Sequence, residues 1–513
     1  MLTALVLAPV AAALVVMAVP SRRREIHLPL GVALSVIPLG IAAVLFTQFE
    51  SIPDFQFTER VDWIPQWGIS WYLGLDGISL PLVLLTVVLV PLSLAASFRE
   101  ITNRHKEFVA FVLLLEAGTL GVFVALDLFV FFVFFEAILI PMYFIIGIWG
   151  GERRIYAAIK FFLFTAVGSA LLFAGIIALA LLHSAQTGAP SFALDDLMAL
   201  DLSPTTELVL FVGFALAFSI KIPVFPLHTW LPDAHTEAPT AGSVLLAGVM
   251  LKLGTYGLLR FNLSLFPSSS VDLVPVLATL AVIGIIWGAV VAIVQSDLKR
   301  LVAYTSVSHL GFIVLGTFAL TSGGLQGAVI QNVNHGLTTG ALFMLVGMLY
   351  DRAHTKEISR FGGLQKTMPL FAGFFLFMIF ASIGLPGLNG FVGEFLILMG
   401  SYPSLPVWSM VAAVGVLLAA IYFLWAYERV FTGPVDDFAQ LDDLTPSEIG
   451  ILTPMALLIV LLGLYPGIIL DKISPSTEAV LDRIEQVTAY EVPEPGRLGD
   501  VFVGSDVSGE AAE

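Results

Sequence analysis

Long apolar segments, each close to the roughly 20 residues that an α-helix needs to cross a bilayer, divide this sequence from end to end. Charged or turn-forming residues separate one segment from the next. The segments lie near residues 2–20, 28–48, 75–97, 107–126, 128–149, 155–183, 206–222, 240–262, 272–295, 301–320, 325–350, 368–399, 406–431 and 450–470. The sequence therefore predicts an all-α polytopic membrane protein with about fourteen transmembrane helices.

Composition excludes several other classes of protein. Of the 513 residues, 58% are apolar and 12% are charged, whereas a soluble domain has about 45–50% apolar and about 25% charged residues. A soluble enzyme and a disordered protein are therefore excluded. The chain has no cysteine, which excludes thiolate-bound zinc, iron–sulfur ligation and disulfides within it. A net charge of −16 excludes a role in binding nucleic acid.

The basic residues predict an orientation in the membrane, because loops on the inner side are enriched in lysine and arginine. With the N-terminus outside, the inner loops collect Arg22, Arg23, Arg24, Arg99, Arg104, Lys106, Arg153, Arg154, Lys160, Lys299, Arg300, Arg352, Lys356, Arg360, Lys366 and Arg429. The outer segments collect only Arg60, Arg260, Lys472, Arg483 and Arg497. We therefore predict that both termini lie on the outer side of the cell (inner) membrane.

Three outer segments are long, at 49–74, 184–205 and 471–513. The last is acidic, and we expect one short helix near 476–488 in an otherwise mobile tail. At the other terminus, the basic cluster 22–24 follows the first apolar segment instead of preceding it. That order predicts a retained span and not a cleaved signal peptide.

Two spans are interrupted by proline and glycine, at Lys221–Pro226 in the seventh and at Ile383–Gly390 in the twelfth. The breaks are five spans apart, which predicts two related units of five helices with inverted topology. Paired broken helices in corresponding positions indicate a transport site. The predicted regions are N-terminal helices 1–3 (1–106), a first repeat of helices 4–8 (107–262), a second repeat of helices 9–13 (272–431), a last helix (450–470) and an acidic extramembrane tail (471–513).

Ionisable side chains at membrane depth are candidates for function, because a charge at the bilayer centre costs about 2.5–3.5 kcal/mol. The candidates within predicted spans are Glu116, Glu136, Lys221, Lys252, His309, His335 and Glu394.

The lysines and histidines among them have properties suited to proton transfer. Removal from water favours the neutral form of a lysine, so Lys221 and Lys252 could take up and release protons near neutral pH. Snorkelling to an interface, or capping of carbonyls freed by the break, is the alternative. His309 and His335 have serine and asparagine on neighbouring turns, which could hold a water chain; alternatively, each histidine bonds a carbonyl.

The three acids differ in context. Glu136 has no local partner within one helical turn, so either a functional partner or a structural ion pair on another helix is expected. Glu394 follows the break of the twelfth span, and Glu116 is either functional or an interhelical hydrogen-bond partner. The loop 228–239 contains His228, Asp233, His235 and Glu237, which are residue types that can bind a metal ion. Because two prolines stiffen this loop, we expect loop stabilisation and capping of the eighth span instead.

Several motifs resemble the proton-translocating, antiporter-like membrane subunits of respiratory complex I. They are Phe134–Tyr143, Lys221–Pro239, Leu251–Gly257, Ser296–His309 and Gly384–Glu394. The resemblance spans about residues 65–470. Glu394 stands where the L-type chain and the cation/proton antiporter subunits typically carry lysine, and 471–513 is too short and polar for the long lateral helix of the L-type chain. Both features favour the M-type branch of the family.

The resemblance implies a fold of fourteen helices with two inverted five-helix repeats, and it implies roles for the candidate residues. Glu136 and Lys221 would be the coupling pair, Lys252 the central relay and Glu394 the exit-side site, joined through His309 and His335. The chain itself would hold no cofactor, and NADH, flavin, Fe–S clusters and quinone would bind partner subunits. Its neighbours would be other antiporter-like membrane chains, with the peripheral redox arm contacted only indirectly.

Two other functions remain open on the sequence. A subunit of a multisubunit cation/proton antiporter would use the same residues without a redox partner. A structural spacer in a membrane assembly would leave the buried ionisable groups unexplained.

Overall fold

The computed structural model describes residues 1–434, 438 and 440–493, and most of these residues are helical. We label the long helices in chain order, with two halves for each broken one. They are α1 (Leu2–Ala18), α2 (Arg24–Gln48), α3 (Ser79–Ala96), α4 (His105–Val124), α5 (Leu128–Trp149), α6 (Arg154–Thr187), α7a (Pro204–Lys221), α7b (Leu231–Glu237), α8 (Thr240–Leu265), α9 (Val274–Ile293), α10 (Leu298–Phe318), α11 (Ser322–Ala353), α12a (Pro369–Ser382), α12b (Asn389–Ser401), α13 (Pro406–Phe431), α14 (Pro446–Leu464) and α15 (Gly467–Val487).

Eleven of the described helices are long and apolar enough to cross a membrane. The other predicted spans correspond to α1, which has 17 residues, to α11, and to α12 in halves of 14 and 13 residues. Helix α11 is polar for a span, but side chains such as Gln331 and Asn334 are buried by its neighbours. The prediction of an all-helical polytopic membrane protein is confirmed.

Both predicted breaks are present. Helix α7a ends at Lys221 and α7b begins at Leu231, and the glycine- and proline-rich stretch after Ser382 separates α12a from α12b. The grouping of the helices into two inverted repeats, with the region boundaries given above, stays a prediction.

Helix α8 is buried along its whole length, and it is not a regular α-helix. Two π-helical segments, Leu246–Met250 and Leu258–Asn262, interrupt it on either side of Lys252. Such π segments are rare and occur frequently at functional sites. The sequence predicted this span but not its irregular winding.

A two-stranded antiparallel sheet occupies the outer segment 49–74. Strand β1 (Gln56–Ile64) pairs with β2 (Ile69–Leu75). Asp127 lies in the short turn between α4 and α5. Its buried carboxylate accepts hydrogen bonds from the Ser70 and Phe129 amides, each 2.9 Å long. Burial and a hydrogen bond to Asp195 raise the pKa of Tyr72 in β2 to about 12. The hairpin is therefore bonded to the start of α5 and to the short helix Leu194–Met198.

Helix α15 corrects the prediction of a mobile tail. It begins at Gly467, well before the expected short helix, and it buries Ile473 and Ile484 against the bundle. Arg483 donates from Nε to the Ser264 carbonyl at 2.6 Å and from Nη2 to the Met198 carbonyl at 2.5 Å. The rest of the predicted tail, 494–513, lies outside the described residues.

Loop contacts gather at the two ends of α11. Near its start, Gln326 donates to Ser474 of α15 at 2.9 Å. At its end, Arg352 forms an ion pair with Glu448 at the start of α14, at 2.6 Å. We call the first end, with α15 and the hairpin, the outer face. The second end holds the loops predicted to be inner, and we call it the basic face.

Close backbone packing of α15 on the start of α3 can be tested with Gly77. Its amide donates to Ser476 Oγ at 2.9 Å, and a Cβ on Gly77 would lie 1.9 Å from the Lys472 carbonyl oxygen. Because overpacking costs about 1–3 kcal/mol, Gly77→Ala should lower the thermal midpoint of the solubilised protein. Gly40→Ala is the matched control, since a Cβ there meets nothing within 4 Å. Equal midpoints for the two variants would contradict this packing.

Candidate functional site

A buried pair of nitrogen groups joins α8 to α11 at the middle of the molecule. Lys252 is fully buried, and its Nζ lies 2.6 Å from His335 Nδ1. The same Nζ donates a hydrogen bond to the Ala247 carbonyl in the first π segment. The two residues predicted as central relay and connecting histidine are therefore in direct contact.

A second buried contact continues this row toward α12b. His309 of α10 binds Glu394 Oε1 through Nδ1 at 2.9 Å. The rings of His309 and His335 have centroids 5.8 Å apart. The row defined by Lys252, His335, His309 and Glu394 thus crosses from α8 to α12b in that order, and we call it the central row.

Amide side chains of α11 hold the acidic end of the central row. Gln331 donates to Glu394 Oε1 at 3.3 Å, and Asn334 donates to Gln331 Oε1 at 3.1 Å. Asn334 also donates to the carbonyl of Asn389, at 2.8 Å, where α12b begins. The amide groups therefore fix the carboxylate to the break that the sequence identified.

Tyr422 of α13 is a member of the site that the sequence did not identify. Its buried hydroxyl lies 3.3 Å from His309 Nε2. With Nδ1 donating to Glu394, the other ring nitrogen accepts the proton of the Tyr422 hydroxyl, so the hydroxyl selects the tautomer of the neutral ring. Tyr422 lies in an apolar stretch of a predicted span, and only the packing of α13 on α10 reveals its role.

The predicted coupling pair is separated in this structure. Lys221 is 2% exposed, and its Nζ has no hydrogen-bond partner among the described residues. It lies 4.8 Å from the ring centroid of Phe135 and 6.0 Å from that of Phe161. Among the described residues, one carboxylate oxygen of Glu136 has no partner, and no ion pair joins Glu136 to Lys221.

Glu116 stands apart from the other candidates. It is fully buried in α4, and neither carboxylate oxygen has a hydrogen-bond partner within the described part of the chain. The alternative that it bonds a neighbouring helix has no support in these contacts. A buried charge without a partner is strongly unfavourable. The described contacts of Glu116 provide no such partner for its carboxyl group.

The segment 228–239 forms the short helix α7b and its flanks. Asp233 pairs with Lys160 at 2.7 Å, and Glu237 Oε2 accepts from the Arg153 amide at 2.8 Å. Within the described residues, no group of three or more His, Asp or Glu side chains could hold a metal ion. His235 is fully buried and stacks on Phe343, with centroids 4.7 Å apart; the sequence interpretation treated it only as part of a stabilised loop.

Comparison with known proteins gives a consistent family. The family profile described as "NADH:quinone oxidoreductase/Mrp antiporter, TM" matches residues 125–421, and the profile "NADH-ubiquinone oxidoreductase chain 4, amino terminus" matches residues 41–120. The chain is 43% identical to NADH-quinone oxidoreductase subunit M of Rhodobacter capsulatus, over 86% of this chain and 88% of that protein. This chain belongs to the NADH:quinone oxidoreductase/Mrp antiporter family.

Other relatives place it in the subunit M branch of that family. It is 39% identical to NADH-ubiquinone oxidoreductase chain 4 of Marchantia polymorpha, over 92% of this chain and 94% of that one. A chain of respiratory complex I from Thermus thermophilus has a TM-score of 0.86 and 34% identity, over 94% of this chain and 100% of that one. A chain of the Mrp complex from Dietzia has a TM-score of 0.84 and 20% identity, over 95% and 99%, which shows the shared fold. The family resemblance drawn from the sequence is confirmed.

The hydrogen bond between Tyr422 and His309 should contribute to stability. Tyr422→Phe keeps the ring and removes the hydroxyl, so a buried ring nitrogen loses its partner at a cost of about 1–3 kcal/mol. We expect a lower free energy of unfolding, measured by denaturation of the solubilised protein. Tyr427→Phe is the control on the same helix, where the ring stacks on Phe431. A loss no larger than that of the control would contradict the bond.

Proposed function

We propose that this chain is a proton-pumping membrane subunit of a complex I-type NADH:quinone oxidoreductase, and that protons move along the central row. The observation that carries the proposal is the order of four buried titratable groups, with contacts of 2.6 Å at one end and 2.9 Å at the other and the two histidine rings 5.8 Å apart between them. Each group can hold a proton and pass it on. Lys252 is then the central relay, and Glu394 is the exit-side site.

Glu136 and Lys221 act in this proposal as a charge switch. With Glu136 close, Lys221 keeps its proton; when Glu136 withdraws, Lys221 releases it toward Lys252. One charge moved across 100 mV requires about 2.3 kcal/mol, so roughly 150–200 mV requires about 3.5–4.6 kcal/mol. A contact pair at an effective dielectric of 20 is stabilised by about 4 kcal/mol. Opening and closing this pair is therefore sufficient in magnitude, and in this proposal the separated pair is the open state.

The redox chemistry belongs to partner subunits in this proposal. NADH, flavin, Fe–S clusters and quinone would be bound there, and this chain would contribute a non-redox part of the translocase. Its direct neighbours would be other antiporter-like membrane chains. By the distribution of basic residues, the basic face is the inner face of the cell membrane, which puts both termini on the outer side.

The second candidate is a subunit of a multisubunit cation/proton antiporter, because the matching family profile covers both kinds of protein. The two functions differ in what drives proton movement. Sodium- or potassium-dependent proton exchange in vesicles without an electron donor would favour the antiporter. Proton movement that requires NADH oxidation would favour the complex I subunit.

The charge switch predicts the effect of Glu136→Gln and Lys221→Met. Each removes one charge, so the pair can no longer change the proton affinity of Lys221. We expect proton pumping by membrane vesicles to be lost while the complex still assembles, as judged by NADH oxidation with an artificial acceptor. Lys366→Met is the control, since Lys366 is exposed and donates to the Gly433 carbonyl, far from the proposed pair. Normal pumping in either switch variant would refute the mechanism.

A further inference from the structure

A polar cavity of about 160 Å³ opens at the basic face. It lies between the end of α7b, the start of α8, the start of α10 and the end of α11. Its charged and polar lining residues include Glu100, Glu237, Lys299, Tyr350 and Lys356. The cavity is large enough to hold water, because one water needs only about 10–15 Å³ of such volume and two to four polar partners.

The two acids of this cavity accept hydrogen bonds from backbone amides. The Glu100 carboxylate accepts from the Thr240 amide, with its oxygens 3.0 and 2.8 Å away. Glu237 accepts from the Arg153 amide, as described above. With Lys299 and Lys356, the lining has two acids and two lysines, and both acids are held in place by backbone amides.

Lys299 is the buried cation of the cavity. It lies in the first turn of α10, is 5% exposed, and donates from Nζ to the Ala238 carbonyl at 2.5 Å. Among the described residues, no carboxylate oxygen lies within 4.0 Å of its Nζ. Its ammonium form therefore has a helix-end carbonyl as partner but no neutralising contact, which is the setting in which a lysine can lose its proton.

His235 lies on the inward side of Lys299. Both of its ring nitrogens lack a partner among the described residues, although the ring is fully buried. Ala238, three residues after His235, accepts the hydrogen bond from Lys299. On the other side, Ser243 Oγ of α8 donates to the His235 carbonyl at 3.0 Å, and Ser243 lies about one helical turn before Ala247, which accepts from Lys252. His235 is therefore on the segment that joins the cavity to the first member of the central row, and its two unpartnered nitrogens can accept and donate a proton.

We propose that this cavity is the proton-uptake site of the chain, with Lys299 as the group that takes the proton from water and His235 as the carrier to Lys252. The neutral amine of Lys299 accepts a proton from hydronium and passes it to the His235 ring. The ring then passes it to the neutral amine of Lys252, and each carrier returns to its starting form. The proposal rests on the proposed pumping function and adds a route from the basic face to Lys252, beside the release from Lys221.

Two substitutions of Lys299 distinguish a role in proton transfer from a role in capping the end of α7b. Lys299→Gln and Lys299→Arg both keep N–H donors for the Ala238 carbonyl, but an amide takes up no proton and a guanidinium releases none near neutral pH. In the whole assembly in inverted membrane vesicles, both variants should lose NADH-driven proton pumping and keep NADH oxidation with an artificial acceptor. Lys366→Gln should pump as the unchanged protein does.

The outcomes distinguish failure of the proposed uptake site from failure of the proposed pumping function. Full pumping in Lys299→Gln and Lys299→Arg, together with loss of pumping in Glu394→Gln, would overturn the uptake site and leave the pump in place. Full pumping in Glu394→Gln would overturn the proposed function itself. Loss of pumping in both Lys299 variants and in Glu394→Gln supports the proposal.

A chemical test covers the case in which the Lys299 variants do not assemble. Because the chain has no cysteine, Tyr350→Cys puts a single thiol on the wall of the cavity. A bulky, cationic, membrane-impermeant thiol reagent added at the basic face should block uptake, so pumping should fall relative to untreated vesicles of the same variant. The unchanged chain with the same reagent corrects for thiols of partner subunits. Equal pumping before and after complete labelling would contradict uptake through this cavity.

Discussion

The contact between Lys252 and His335 is the interaction on which the organisation of the membrane core depends. A lysine nitrogen at this depth needs hydrogen-bond partners that water would otherwise supply, and Lys252 has them in His335 Nδ1 and the Ala247 carbonyl. The carbonyl lies in a π segment, where the altered winding makes backbone acceptors accessible to a side chain. The contact joins α8, which is buried along its whole length, to the polar helix α11.

The two glutamates proposed to act at opposite ends of the pathway have different environments. Glu394 is held by His309 and Gln331, so its carboxylate has fixed donors and a fixed position. Glu136 is partly exposed and keeps one oxygen without a partner among the described residues. A carboxylate that must approach and leave a lysine cannot be held by several other donors at once. The few contacts of Glu136 therefore suit a switch. The several contacts of Glu394 suit the fixed end of a relay.

The sequence predicted the parts of this structure that depend on local pattern. Segment lengths predicted the spans, and proline and glycine predicted the two breaks. The cost of charge in a membrane identified the members of the central row. The order of those members, the separation of Glu136 from Lys221, and the role of Tyr422 depend on which helix faces lie together, and no local pattern encodes that.

The burial of helix α15 and of His235 was not predicted from the sequence, for related reasons. Helix α15 is amphipathic and mixes acids with apolar residues, so its composition resembles that of a solvated tail. Only its contacts with α11, with the end of α8 and with the turn before α3 show that one face is buried. His235 lies among Asp233 and Glu237 in a motif rich in polar residues, for which the sequence predicts loop stabilisation and capping of the eighth span. The packing of Phe343 against its ring shows that it is part of the core.

Helix α7b connects the two functional regions of the molecule. Its end is bonded to the turn after α5 through the Gly151 amide and the Glu237 carbonyl, at 2.8 Å. Helix α5 carries Glu136, and the break before α7b follows directly on Lys221, so both members of the coupling pair are anchored to the same short helix. The same helix carries His235, and the carbonyl of Ala238, directly after the helix, accepts from Lys299. One short segment therefore contacts both the turn after α5 and the buried cation of the cavity.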